Sequence, residues 1–170
     1  MFDFFFYGTL LDADIRRLVF GRDVPVEEAT PATLPGYGRY SVRDEPYPAA
    51  VPEPGSTIEG IVLHGLNVLD AARLSNFEGD DYVATFCPIE LANGFPGDFS
   101  RDNEPPEVWV FIASERVSLT PNAWSVDAWR ADNKGRFLEI AHDWLGIRGA
   151  DALAVQEDLW HARLKTAGKP

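Results

Sequence analysis

The chain opens on the stretch DFFFYGTLLD (3–12), whose unbroken aromatic run Phe4, Phe5, Phe6 predicts a short buried strand. Gly8 removes the side chain where the chain leaves that strand, and Asp12 is placed to cap a helix. Ile15, Leu18 and Val19 give this helix an apolar stripe and Gly21 ends it. The segment EEATPATLPGYGRYSVRDEPYPAAVPEPG has no helical period and predicts short strands over 29–35 and 37–43. TIEGIVLHGL (57–66) reads as a further strand. Asn67 then caps a helix to about Phe77, with Val68, Leu69, Ala72 and Leu74 inward and Gly79 as its stop. YVATFCPIEL (82–91) and EVWVFIA (107–113) are two more strands. From Ser125 the period turns helical to about Leu145, with Val126, Trp129, Phe137, Ile140, Ala141 and Trp144 on the buried face and Gly146 as the stop. A last helix from Asp151 carries Leu153, Leu159 and Leu164. Strands early and helices late make the fold class α+β.

A length of 170 residues fits one domain with a sizeable core, and 45% hydrophobic residues fit an ordered chain. The formal charge of −12, with basic residues scattered, argues against nucleic acid and against anionic membrane surfaces as partners. Cys87 is the only cysteine and sits in an apolar run, so it is expected to pack as a small hydrophobe. No basic segment precedes the first apolar run, and no stretch approaches the ~20 apolar residues of a membrane span. The expected location is cytoplasmic; oligomeric state is not legible.

Phosphate-binding glycine loops, a nucleophile elbow and the HExxH zinc motif are all missing from the sequence. His142 follows Glu139 at helical spacing without a partner pair, and reads as a surface or half-buried histidine. GDFSRDNEPPE (97–107) is acidic but has Asn103 where a calcium loop needs glycine, so it reads as a solvated loop. In LSNFEGDDY (74–82), Glu78, Asp80 and Asp81 crowd the end of a helix. Mutual repulsion and the helix dipole favour a raised carboxylate pKa, as a general base requires. A solvated acidic turn explains the same residues equally simply. The loop at Gly8 is similarly open: it either turns the chain or aims backbone N–H groups at an anion.

FFFYGTL, YPAAVP (47–52), IEGIVLHGL and the Glu78-Gly79 step followed by Tyr82 occur in the order and spacing of the gamma-glutamyl cyclotransferase-like family, avirulence-induced-gene-like branch. The resemblance runs from about Phe4 to Ala113 and continues loosely into DAWRADNKGRFL. It implies a compact mixed β-barrel with flanking helices, a core over about 2–114 and a helical C-terminal extension over about 121–166. In that family the loop matching Tyr7, Gly8, Thr9 and Leu10 binds the substrate's α-carboxylate through backbone amides. The catalytic glutamate falls on Glu78, and Tyr82 matches a tyrosine that often follows it. Many relatives carry Arg where this chain has Ala84.

The implied reaction is intramolecular aminolysis of a small-molecule γ-glutamyl amide, releasing 5-oxoproline and an amine or amino acid, with no cofactor and no metal. Two other functions fit the same residues. One is a binding module for small carboxylates or partners. The other is a related acyl-transfer or hydrolytic enzyme acting on another small amine-bearing substrate.

Overall fold

A computed structural model describes residues 1–24, 29–92 and 105–167, the side chains of 147, 148, 166 and 167 aside. The acidic loop expected over 97–107 therefore lies mostly outside the described residues. The chain runs β1 (Phe2–Phe6), a 3-10 turn (Thr9–Leu11), α1 (Ala13–Phe20), β2 (Ala29–Val42), β3 (Pro48–Leu66) and α2 (Val68–Glu78). A second 3-10 turn (Gly79–Asp81) leads to β4 (Tyr82–Pro88), β5 (Glu90–Leu91), β6 (Glu107–Ala113), β7 (Leu119–Ala123), α3 (Val126–Asp132) and α4 (Lys134–Ala167). The strands form one sheet in the order β4-β6-β1-β3-β2-β5, with β7 also on β2. The sheet curls into a half-barrel and the class is α+β, as expected.

β1 lies between β3, to which it is antiparallel, and β6, to which it is parallel. Both of its faces are covered, which explains why its sequence is aromatic without polar alternation. Phe2, Phe4 and Phe6 face the core beneath the helices, while Phe5 and Tyr7 join the apolar cluster on the other face. Cys87 is a buried member of that second cluster, in keeping with its expected role as a small hydrophobe.

The two strands expected over 29–35 and 37–43 are one strand, β2, whose register shifts between Pro35 and Tyr37 where Gly36 takes a positive φ of 78°. The strand expected over 57–66 is the second half of the longer β3. Helix starts behave as the sequence predicts. Asp12 Oδ1 accepts from the Asp14 N–H at 3.0 Å, and Asn67 with Asp70 forms a reciprocal capping box. The Ser125 hydroxyl accepts from the Ala128 N–H at 3.3 Å.

Helix ends differ more. The single helix expected over 125–145 breaks at Asn133, whose φ of −128° is non-helical, and α4 starts at the next residue. Gly146 does not stop α4. The break comes at Gly149, whose φ of 64° and ψ of 179° lie in a region essentially restricted to glycine. Leu69, expected inside, is 36% exposed and Ala71 is buried instead; on the last helix Leu159 is 51% exposed and Trp160 is buried. His142 is exposed, within the range expected of it. Among the described residues no helix is long and apolar enough to cross a membrane.

Candidate functional site

The site grows from the end of β1. After Tyr7 the chain turns at Gly8 into the 3-10 turn, closed by Leu11 N–H to Gly8 O and Asp12 N–H to Thr9 O, each 3.0 Å. A 3-10 turn leaves the amides at its start, here Thr9 and Leu10, without an acceptor inside the turn. Gly8 has a negative φ of −117°, so no left-handed backbone demands glycine there. Space is tight instead: a Cβ would stand 3.2 Å from the Pro48 ring, which would have to give by a few tenths of an ångström.

Cations hold the loop from behind. Arg39 Nη1 donates to Tyr7 O at 2.9 Å, Arg16 Nη1 to Leu10 O at 2.9 Å, and Arg130 Nη2 to Leu11 O at 3.2 Å. The buried Asp12 carboxylate receives Arg130 Nε at 2.9 Å and Lys134 Nζ at 3.0 Å, tying the loop to α3 and α4.

Across from the loop, α2 ends on Glu78. Gly79, with φ 66° and ψ −157°, turns the chain sharply enough to leave Glu78 as the last helical residue. The acidic cluster then divides. Asp80 points outward, its side chain 90% exposed and paired with Arg116 at 3.2 Å, whereas Glu78 and Asp81 line a cavity. The 3-10 turn causes this split by rotating successive side chains about a tight axis. Among the described residues no three His, Cys, Asp or Glu side chains assemble as a metal site.

That cavity is lined by Phe5, Phe6, Tyr7, Gly8, Thr9, Leu10, Tyr47, Pro48, Phe77, Glu78, Asp81, Tyr82, Phe111, Phe137 and Trp144. All six residues singled out in the sequence, Tyr7, Gly8, Thr9, Leu10, Glu78 and Tyr82, thus meet on one cavity although they span two distant segments.

Three phenols surround the glutamate. Tyr7 is buried; its hydroxyl donates to Phe111 O at 2.6 Å and accepts the Ala50 N–H at 3.0 Å. Burial, then the Glu78 carboxylate, push this phenol far above its ordinary pKa, against the lowering effect of Ala50 and Arg39. Tyr82 donates to Pro48 O at 2.8 Å and is pushed up by burial, then by Tyr7 and Glu78. Tyr47 is raised by burial, then by Glu45 and Asp81. The cavity therefore holds neutral hydroxyls near Glu78, with the Tyr7 and Tyr82 protons committed to backbone carbonyls.

Sequence reasoning did not place Phe77, Phe111, Phe137 and Trp144 at the site or Arg39 as a support; Tyr47 and Pro48 entered only within the YPAAVP motif and Asp81 only within the acidic cluster. The signal for two of them was present. Phe137 and Trp144 stand seven residues apart on the expected buried stripe, and their rings pack edge-on at 5.9 Å. What the sequence hid is that this stripe covers the cavity, where Tyr47 meets Phe137 at 6.1 Å and Trp144 at 6.0 Å. A second, polar groove lies beyond the Asp81–Tyr82 wall, with Ser75, Asn76, Arg116, Gln156 and Arg163 around it.

Known proteins share this architecture. AIG2-like protein D of Arabidopsis thaliana is 25% identical over 143 residues, covering 84% of this chain and 88% of its own. AIG2-like protein B of the same plant is 28% identical over 135 residues, covering 79% and 73%. A solution structure from Arabidopsis thaliana aligns with TM-score 0.58 at 23% identity, covering 88% of this chain and 93% of that one. The crystal structure of an uncharacterised protein from Homo sapiens aligns with TM-score 0.51 at 16% identity, covering 84% and 85%. At these identities the structural matches establish the fold alone. A family model described as "Gamma-glutamyl cyclotransferase, AIG2-like" matches residues 4–131, which include the loop, Glu78 and Tyr82; the chain belongs to that family.

Proposed function

We propose that this chain is an enzyme of the gamma-glutamyl cyclotransferase type, converting a small γ-glutamyl amide into 5-oxoproline and a free amine or amino acid. One observation carries the reading: the Gly8–Leu10 loop and Glu78, from segments far apart in sequence, line the same aromatic-walled cavity. A γ-glutamyl head has two charged ends to satisfy. Backbone N–H donors suit its α-carboxylate, and a carboxylate suits its α-ammonium.

Glu78 takes a proton from the α-ammonium. The freed amine attacks the γ-carbonyl carbon, forming the C–N bond of the five-membered lactam. As the γ-amide C–N bond breaks, Glu78 returns its proton to the departing nitrogen, and the attacking nitrogen gives its second proton to the carboxylate so freed, leaving the neutral lactam. The nucleophile belongs to the substrate, so the protein's main task is to hold a flexible chain folded; such positioning can supply ~7–11 kcal/mol in favourable cases. Tyr7 and Tyr82, kept neutral by burial, add hydroxyls to the cavity without adding charge. The aromatic wall of Phe77, Phe137 and Trp144 limits water at the reacting carbonyl, which favours cyclisation over hydrolysis.

The test is a mass-spectrometric screen for 5-oxoproline release from a panel of γ-glutamyl compounds, followed by Glu78→Gln. Gln preserves shape and hydrogen bonding but cannot shuttle the proton. Its kcat is expected to fall by ~10²–10⁴ while the melting temperature stays put. Ligand binding without product across the panel would instead mark a binding module, and products other than 5-oxoproline a related acyl-transfer or hydrolytic enzyme.

A further inference from the structure

Each peptide group of the Tyr7–Asp12 loop has a carbonyl side and an amide side, and the loop is held by its carbonyls. Arg16 and Arg130 act on peptide groups whose N–H bonds stay within the loop, since Leu11 N–H reaches Gly8 O and Asp12 N–H reaches Thr9 O. Those two contacts stabilise the turn. Arg39 differs. It holds the carbonyl of Tyr7, and the N–H of that same peptide group belongs to Gly8, a residue of the cavity wall.

The peptide is trans, so its C=O and N–H point in opposite directions. Fixing the oxygen on Arg39 at 2.9 Å thereby aims the Gly8 N–H away from Arg39. Tyr7 and Gly8 line the cavity and Arg39 does not, so the cation acts on this peptide from outside the lining. A guanidinium on the carbonyl oxygen also draws electron density along the amide and makes its N–H a stronger donor. The group is well placed to do this continuously. Arg39 lies on β2 opposite Ala50, its guanidinium stacks over the Trp124 ring at 5.6 Å, and Trp124 is itself tied to Pro46 O at 3.1 Å. Stacking leaves the edge of a guanidinium available for in-plane donation.

We propose that Arg39 is a positioning residue for carboxylate recognition: through the Tyr7–Gly8 peptide it orients and polarises the Gly8 N–H toward the carboxylate of a small ligand. On the function proposed above, on which the ligand's identity rests, this is the α-carboxylate of the γ-glutamyl head. The arrangement delivers positive charge to the anion without placing a side chain in the cavity. A guanidinium inside it would pair with Glu78 and weaken that group as a base.

The test compares two lactams differing only in the carboxylate, 5-oxoproline and 2-pyrrolidinone. Their binding is followed by NMR shift titration in the wild type, Arg39→Met and Arg39→Lys. In Arg39→Met, affinity for 5-oxoproline falls by about tenfold, whereas 2-pyrrolidinone binds as before. Arg39→Lys recovers part of the loss. Turnover of a γ-glutamyl substrate by Arg39→Met shows a raised KM with kcat within about twofold. Equal weakening of both lactams would mean that Arg39 merely supports the fold, and no change in either, or no binding of 5-oxoproline by the wild type, would equally overturn the proposal. If 5-oxoproline binds with this Arg39 dependence but is never formed from γ-glutamyl amides, carboxylate recognition stands and the cyclotransferase reading falls.

Discussion

Gly8 lines the cavity and Gly79 follows its lining residue Glu78, and the two are glycines for different reasons. At Gly79 the backbone itself decides: φ 66° and ψ −157° are open to essentially no other residue, and holding one there costs ~1–3 kcal/mol. Gly79→Ala is therefore expected to lower stability by that amount. It should also reduce kcat, because Glu78 is the preceding residue and moves with the turn. Thermal melts paired with kinetics below the melting transition check both. Gly146→Ala is the internal control: its added Cβ meets nothing within 4 Å, and in a helix it should stabilise by about 0.5–1 kcal/mol. At Gly8 the obstacle is the Pro48 ring, 3.2 Å from where a Cβ would stand, rather than the backbone angle. Gly8→Val should push the loop off Pro48 and crowd the amides, raising KM several-fold more than it lowers kcat. Steady-state kinetics showing an unchanged KM would mean that the loop only turns the chain.

Between elements, Asp12 is the joint. One carboxylate caps α1 through the Asp14 N–H and receives Arg130 of α3 and Lys134 of α4. Burial by itself raises its pKa, but the hydrogen bonds from Lys134, Arg130 and the Asp14 N–H outweigh it and hold the group below its ordinary value. A native pKa below the unfolded one means that the unfolded chain binds more protons in acid. The stabilisation is thus complete above the unfolded value near ~3.9 and is lost as pH falls through the native one. Asp12→Asn is expected to cost about 1–3 kcal/mol at neutral pH, a gap that closes as pH drops below about 4. Denaturant titrations at several pH values measure it; a gap independent of pH would show that the charge is immaterial. The first half of this joint was legible, since Asp12 precedes an apolar stripe. Its second half was not: Arg130 lies 118 residues away, and one sequence without an alignment carries no trace of such a pairing. The same limit explains the site. Local chemistry drew attention to the Gly8 loop and the Glu78 turn but left each open, and the family resemblance made Tyr7–Leu10 and Glu78 site residues, whereas Phe111 and Arg39 enter through sheet register and long-range packing. Gly21 and Gly79 stop their helices as expected, but the stop at Gly146 was misplaced because Gly146 and Gly149 look alike until the backbone chooses one.

At the scale of the whole molecule, the C-terminal helices complete the core that β1 begins. Trp160, fully buried, packs edge-on against Phe2 at 4.8 Å, Phe4 at 5.3 Å and Trp109 at 5.1 Å, so it closes the helix-side face of β1 and reaches β6 as well. Its Nε1–H donates to the Ser75 hydroxyl at 2.9 Å, which ties the same ring to α2, the helix that ends on Glu78. Its neighbour Leu159, one position earlier on the same helix, is 51% exposed. The two adjacent positions therefore make a sharp comparison. Trp160→Ala empties a large volume where β1, β6 and α2 meet, a class of change that costs ~3–5 kcal/mol, and should lower the melting temperature by about 6–20 °C. Leu159→Ala removes an exposed side chain and should stay within about 0.5 kcal/mol of the wild type. Trp160→Phe, which keeps a ring but loses the bond to Ser75, belongs between them. Calorimetric melts of the three variants decide the matter, because equal destabilisation at positions 159 and 160 would be incompatible with this helix register and with the closure of the core by the C-terminal segment.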